Sequence, residues 1–367
     1  MLRITDYIKK SLKPDSSLNS KHKSGGSLLI WNITNSCNLE CAHCYSSSEK
    51  INSGNDITPE LVLSTVKSLK DAGIKAVILS GGEPLMSPHV FDIAGILKDA
   101  GFAVHLSTNG TMINGKNAGK IKSLFNYVGI SIDGAEKTHD GFRKREGAFE
   151  ASLKSIRLLL GGGINAGLRF SLTAYNYREL GFIFELARKE GLKKIYISNL
   201  VYAGRGGRLS DMDKNTHREV SLSIIKKAFD FIEANVPIDI TTGNNEQDAV
   251  LLLEETKLLY PEAYENMYGK LLEWGGNQAG GRIVNIDYAG FVKPDPFFNY
   301  NAGNIKDRDF FDIIEGDELF SELRQTPRKL KGRCETCSYL EVCNGGSRAR
   351  AYAVYGDYFQ EDPSCFI

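Results

Sequence analysis

The sequence predicts an α/β fold: a partial (β/α)6 barrel of the TIM type, followed by a small cysteine-bearing domain at the C-terminus. Two observations carry this. Short apolar, β-rich runs alternate with longer helix-forming stretches, the pattern of a parallel sheet with helices outside it. All seven cysteines fall into two tight groups, one near each end of the chain, with none between.

The elements follow in order. Residues 2–12 suit a short amphipathic helix and 13–27 a polar linker, so 1–27 reads as an N-terminal arm. Strands are expected at 28–34, 75–80, 103–108, 127–132, 166–173 and 194–199. Helices are expected at about 58–72, 88–100, 114–125, 148–162 and 178–190. Six strands are fewer than a full TIM barrel needs, so the barrel over 28–205 is open. Residues 206–275 read as a mainly helical bridging region. The last domain, 276–367, holds a hairpin turn at Asp287-Tyr288-Ala289-Gly290, a short helix at 309–323 and the second cysteine group.

Active sites of parallel α/β folds lie at the C-terminal edge of the strands, and the polar motifs sit there. Cys37-Asn38-Leu39-Glu40-Cys41-Ala42-His43-Cys44 follows the first strand, and Gly81-Gly82-Glu83-Pro84 the second. Ser107-Thr108-Asn109-Gly110 ends the third, and Ser131-Ile132-Asp133-Gly134 the fourth. A Tyr202-Ala203-Gly204-Arg205-Gly206 turn follows the sixth.

The first cysteine group is a C-x3-C-x2-C run; the second is Cys334, Cys337 and Cys343, closed by Cys365. Thiolates gathered this way suit soft-metal ligation rather than disulfides. Four thiolates complete a tetrahedral zinc site or a cubane iron–sulfur cluster, and spacing alone leaves both open for the C-terminal quartet. Three thiolates on a [4Fe–4S] cubane leave one iron free to bind a cosubstrate. Zinc with a fourth ligand such as His43 is the alternative for the first group.

Lys and Arg number 45 and so do Asp and Glu, a formal net charge of +0. That gives no global field for nucleic acid or an anionic membrane. No apolar run approaches the roughly 20 residues of a membrane span. A cytoplasmic protein is expected.

The C-x3-C-x2-C run after the first strand resembles the signature of radical S-adenosylmethionine (SAM) enzymes. Gly81-Gly82-Glu83-Pro84 is similar to that superfamily's GGEP, and the Asn109 and Asp133 segments to its later pocket-lining segments. The resemblance implies a SAM-binding cluster on Cys37, Cys41 and Cys44. It implies SAM contacts from His43, Gly81, Gly82, Glu83, Pro84, Ser107, Asn109, Ser131 and Asp133. It also implies reductive cleavage of SAM to a 5'-deoxyadenosyl radical.

The C-terminal part resembles the SPASM/Twitch auxiliary-cluster extension. This implies an iron–sulfur domain in which Cys334, Cys337, Cys343 and Cys365 hold a second [4Fe–4S] cluster. Two positions depart from the full extension: Ser347 and Asp295 stand where it has cysteines, so a further cluster is not expected.

Ile30-Trp31-Asn32, the Arg205 turn, the Pro294-Asp295 hairpin and Gly345-Gly346-Ser347-Arg348-Ala349-Arg350 resemble NirJ- and AhbC-type tetrapyrrole-modifying members. These imply loss of propionate or acetate from didecarboxysirohaem or a relative. They also imply an electron donor such as ferredoxin or flavodoxin. Substrate carboxylates would meet Arg205, Arg348 and Arg350, since guanidinium pairs bidentately with carboxylate, while Asp295 reads as a turn residue or a substrate contact, with a carboxylate ligand to a cluster as the alternative. Arg169, Arg208 and Arg282 are further candidates. Peptide modification and electron carriage are the competing functions.

Overall fold

The computed structural model describes residues 1–13, 27–50 and 56–367. The linker expected at 13–27 thus falls, from 14 to 26, outside the described residues. The strands are β1 (Ser27–Asn32), β2 (Ile74–Ser80), β3 (Ala103–Thr108), β4 (Tyr127–Ser131), β5 (Ala166–Leu172) and β6 (Lys194–Asn199). They pair in parallel, each with the next, as the alternating pattern predicts.

A seventh strand, β7 (Asp239–Gly243), adds in parallel to β6 inside the segment read as mainly helical. The opposite edge is extended too. β8 (Ile283–Ile286) pairs in parallel with β1, and β9 (Phe291–Lys293) and β10 (Gly303–Asn304) follow antiparallel. One continuous ten-stranded sheet results, with the hairpin at 287–290 on its edge.

The helices are α1 (Ile4–Ser11), α2 (Pro59–Asp71), α3 (Val90–Asp99), α4 (Ala118–Leu124), α5 (Glu136–Arg143), α6 (Ala148–Gly161) and α7 (Leu180–Lys189). Beyond the sixth strand come α8 (Lys214–Glu233), α9 (Asp248–Leu259) and α10 (Tyr264–Trp274). The last four are α11 (Phe310–Gly316), α12 (Glu318–Leu323), α13 (Leu340–Cys343) and α14 (Arg348–Tyr355). The single helix expected at 309–323 is two. Asp317 is extended and accepts from Phe320 N at 3.0 Å, so it caps a new helix instead of continuing the old one. Thr58 and Pro59 start α2 by the same rule, with a proline where its missing N–H costs nothing.

Strand side chains alternate between two environments. In β6, Ile195 and Ile197 are fully buried, and Tyr196 and Ser198 between them face the barrel interior. The same alternation puts Ser80, Ser107, Ser131, Arg169 and Ser171 inside. The apolar faces form the main core, about 1.5–3 kcal/mol for each large aliphatic side chain. The interior row at the strand ends is polar, and that row makes a hollow.

Candidate active site and cysteine centres

That hollow encloses about 1000 Å³ of space, partly open to solvent. Its wall carries Cys37, Cys41, His43 and Cys44 together with Gly81, Gly82, Ser107, Asn109 and Ser131. Residues far apart in sequence thus meet at one strand edge. A second hollow, of about 1330 Å³, adjoins it and shares Tyr45 and Phe297. Those two rings meet edge to face at 5.1 Å. The second hollow is strongly aromatic, with Tyr202, Tyr288, Phe298 and Tyr352 in its wall.

The cysteine loop is held by backbone, and the glycines explain how. Gly82 N donates to Thr34 O and Glu83 N to Ser36 O, both at 2.8 Å. A Cβ on Gly82 would lie 2.3 Å from Ser36 O, and one on Gly81 2.4 Å from Thr34 O. The glycine pair therefore serves close approach of two backbones. Gly82→Ala is expected to push the loop outward, costing about 1–3 kcal/mol and loosening the first metal centre. Iron content after reconstitution should fall at that centre alone; full loading would refute the close-packing argument.

Glu83 and Pro84 do not line the hollow. Glu83 is fully buried and accepts from Thr108 Oγ1 at 2.7 Å, Asn109 N at 2.8 Å and Leu85 N at 3.2 Å. Burial raises its carboxyl, and these donors counter that. It ties the ends of β2 and β3 together, and Pro84 opens the short turn that follows.

Asp133 acts at one remove as well. It receives Arg143 Nε at 2.6 Å and Arg143 NH2 at 2.5 Å. Arg143 NH1 then lies 3.5 Å from Cys41 Sγ. Burial alone would raise the Asp133 carboxyl, but the guanidinium holds it below the usual carboxylate range. Arg143 escaped the sequence reading because α5 has almost no aliphatic periodicity. His43 stacks on Phe142 at 4.3 Å, and Phe142 on Tyr175 at 5.4 Å. Burial lowers His43 to about 3, so its ring is neutral.

The C-terminal quartet converges. Cys334, Cys337, Cys343 and Cys365 line one small cavity. Among the described residues no three His, Cys, Asp or Glu side chains stand as a single-ion site. Burial pushes the Cys343 thiol up to about 12. Ser347, in the place of a cysteine, caps α14 by accepting from Arg350 N at 3.3 Å.

The arginines proposed for substrate carboxylates are mostly committed elsewhere. Arg350 is fully buried and pairs with Asp362 through Nε at 2.9 Å and NH2 at 2.7 Å. Arg348, also fully buried, donates to the carbonyls of Gly345, Gly346, Tyr358 and Gln360. Their donors are spent inside the fold, which corrects the expectation of a substrate role. Arg205 holds Cys41 O and Ser48 O, each at 2.9 Å, and pins the cysteine loop. Asp295 accepts from Phe297 N at 2.8 Å in a tight turn, and burial raises it to about 7.

The radical SAM superfamily model matches residues 31–187. A pre-heme d1 synthase from Dinoroseobacter shibae is 40% identical over 347 residues, covering 93% of this chain and 86% of that one. This chain belongs to the radical SAM superfamily. An Fe-coproporphyrin III synthase from Methanosarcina barkeri is 33% identical over 98% of this chain and 93% of its own length. The solved structure of Streptococcus suis SuiB bound to S-adenosylmethionine shares the fold, with a TM-score of 0.72 and 16% identity. It covers 94% of this chain and 78% of that one.

The residues of this radical SAM enzyme fit a [4Fe–4S] cluster and SAM. Three thiols share one wall of the hollow, and His43 Nδ1 is buried with no hydrogen-bond partner among the described residues. A nucleobase edge would satisfy it. Such a cluster, when bound, supplies an electron that splits SAM into methionine and a carbon radical able to abstract hydrogen. The chain's own residues do the rest. Arg143 brings a charged donor to Cys41 Sγ, and hydrogen bonds to sulfur tune such centres. Ser46 and Ser48 lie 3.4 and 3.2 Å from Cys44 Sγ and hold it in place. Burial keeps water from the wall that carries Cys37 and Cys41.

Proposed function

We propose that this radical SAM enzyme removes propionate or acetate side chains from a sirohaem-derived tetrapyrrole such as didecarboxysirohaem, in haem or haem d1 biosynthesis. The carrying observation is the 40% identity to a pre-heme d1 synthase across nearly the whole chain. The aromatic hollow beside the cysteine wall supports it, since a flat macrocycle stacks on such side chains. A second [4Fe–4S] cluster on Cys334, Cys337, Cys343 and Cys365 belongs to the same reading, supported by the one cavity they line. So do a ferredoxin- or flavodoxin-type electron donor and a cytoplasmic setting. No helix among the described residues is long and apolar enough to cross a membrane.

Peptide modification is the competing reading, since SuiB solved with its precursor peptide shares the fold. At 15% identity that likeness speaks for the fold alone. Reconstituted protein, SAM and a strong reductant should convert didecarboxysirohaem to a product lighter by the lost side chains, read by mass spectrometry. A wild-type protein that neither binds nor alters the macrocycle would sink the tetrapyrrole reading.

A further inference from the structure

Two arginines line the barrel hollow, and they differ in one respect. Arg143 is paired with Asp133 and directed at Cys41. Arg169, on β5, makes no side-chain hydrogen bond or ion pair among the described residues. Its guanidinium lies over the Tyr196 ring at 4.6 Å. Its stem fills the space left by Gly129, where a Cβ would meet Arg169 Cδ at 2.7 Å. The strands thus hold this side chain from two sides: Arg169 pairs with Ser131 on β4 and with Tyr196 on β6.

A half-buried guanidinium whose donors meet no protein acceptor is available to an acceptor that enters the hollow. Stacking on Tyr196 fixes the plane and leaves the edge donors free. A carboxylate meets that edge with two parallel hydrogen bonds. The barrel hollow and the aromatic one share Tyr45, Ser46 and Phe297 in their walls. A ring seated in the outer hollow lies against the wall that the two hollows share, and one of its side chains must pass the edge of that wall to reach Arg169.

We propose that Arg169 takes the carboxylate of the side chain that reacts and so selects which chain enters the hollow. This rests on the tetrapyrrole reading above. SAM carries a carboxylate of its own, so the test must tell the two sources apart.

Holoenzyme would be titrated anaerobically with didecarboxysirohaem and with its fully methyl-esterified form, read by absorbance. SAM would be titrated separately, read by EPR of the reduced cluster. Arg169→Gln should bind the free acid about ten- to a hundredfold more weakly than wild type, the loss of one charge-assisted pair. The ester should bind wild type and Arg169→Gln alike. Arg169→Lys, which keeps the charge without the fork, should fall between. Thermal unfolding would be run on both variants, and Arg169→Lys carries the comparison if Arg169→Gln does not fold.

Equal macrocycle affinity in wild type and both variants would overturn the proposal. A loss confined to SAM would overturn it in favour of the SAM carboxylate. A wild type that binds no macrocycle overturns the tetrapyrrole reading itself, and this assignment with it.

Discussion

Replacing Cys37, Cys41 and Cys44 together by Ala is expected to abolish SAM cleavage to background while leaving one cluster in place. The three thiols share one wall of the barrel hollow, and the C-terminal quartet lines a separate cavity. Wild type should hold about eight iron after anaerobic reconstitution, and the triple variant about four. The loop itself should persist, because its anchors are backbone and Arg205 contacts rather than the thiols. Iron assay and 5'-deoxyadenosine measured by chromatography give the two readouts. Loss of all iron would mean that the two centres do not load independently. Zinc at the quartet of wild type would overturn the second cluster.

Asp362→Ala is expected to be the most damaging substitution far from the barrel hollow. Asp362 and Arg350 are both fully buried and share a two-pronged ion pair. Removing the carboxylate strands a buried guanidinium, at a cost of about 3–5 kcal/mol. The damage should reach the quartet, because the Asp362 carboxylate also accepts from Ser347 N and from the N–H of Ser364, the residue next to Cys365. Burial by itself would raise the Asp362 carboxyl, but Arg350 overrides it and the net direction is down. A depressed folded-state value means the stabilisation is complete above the ordinary carboxylate range of about 3.9 and is lost as pH falls through the folded value. Wild-type stability should therefore drop in acid, and the variant should lack that component of the drop. An unchanged melting temperature and iron content would show the pair to be dispensable.

Much of the barrel was legible because parallel strands buried by helices keep their apolar runs. β7 was not, since Asp-Ile-Thr-Thr-Gly carries one aliphatic residue and its burial comes from long-range contacts. Thr242, for example, pairs with Leu2 at the N-terminus. The join of β8 to β1 was invisible for another reason: strand pairing across about 250 residues leaves no local pattern. In the site, the cysteines and glycines were readable because thiolates and missing Cβ atoms have few substitutes. The arginines were misread. Arg348 and Arg350 read in sequence as partners for substrate carboxylates, and only the acceptors around them show that their donors are spent inside the fold. Arg143 sits in α5, a helix whose buried face is His139, Phe142 and Arg143 rather than aliphatic.

The pairing of β8 with β1 makes the barrel and the C-terminal segment structurally inseparable. The edge of β1 that β8 covers is a row of backbone donors and acceptors. A chain cut before Ile283 would bare that row beside Trp31 and Leu29, a ready template for sticking to other copies. The segment that carries the quartet is therefore a selvedge, the woven border that keeps the sheet from fraying.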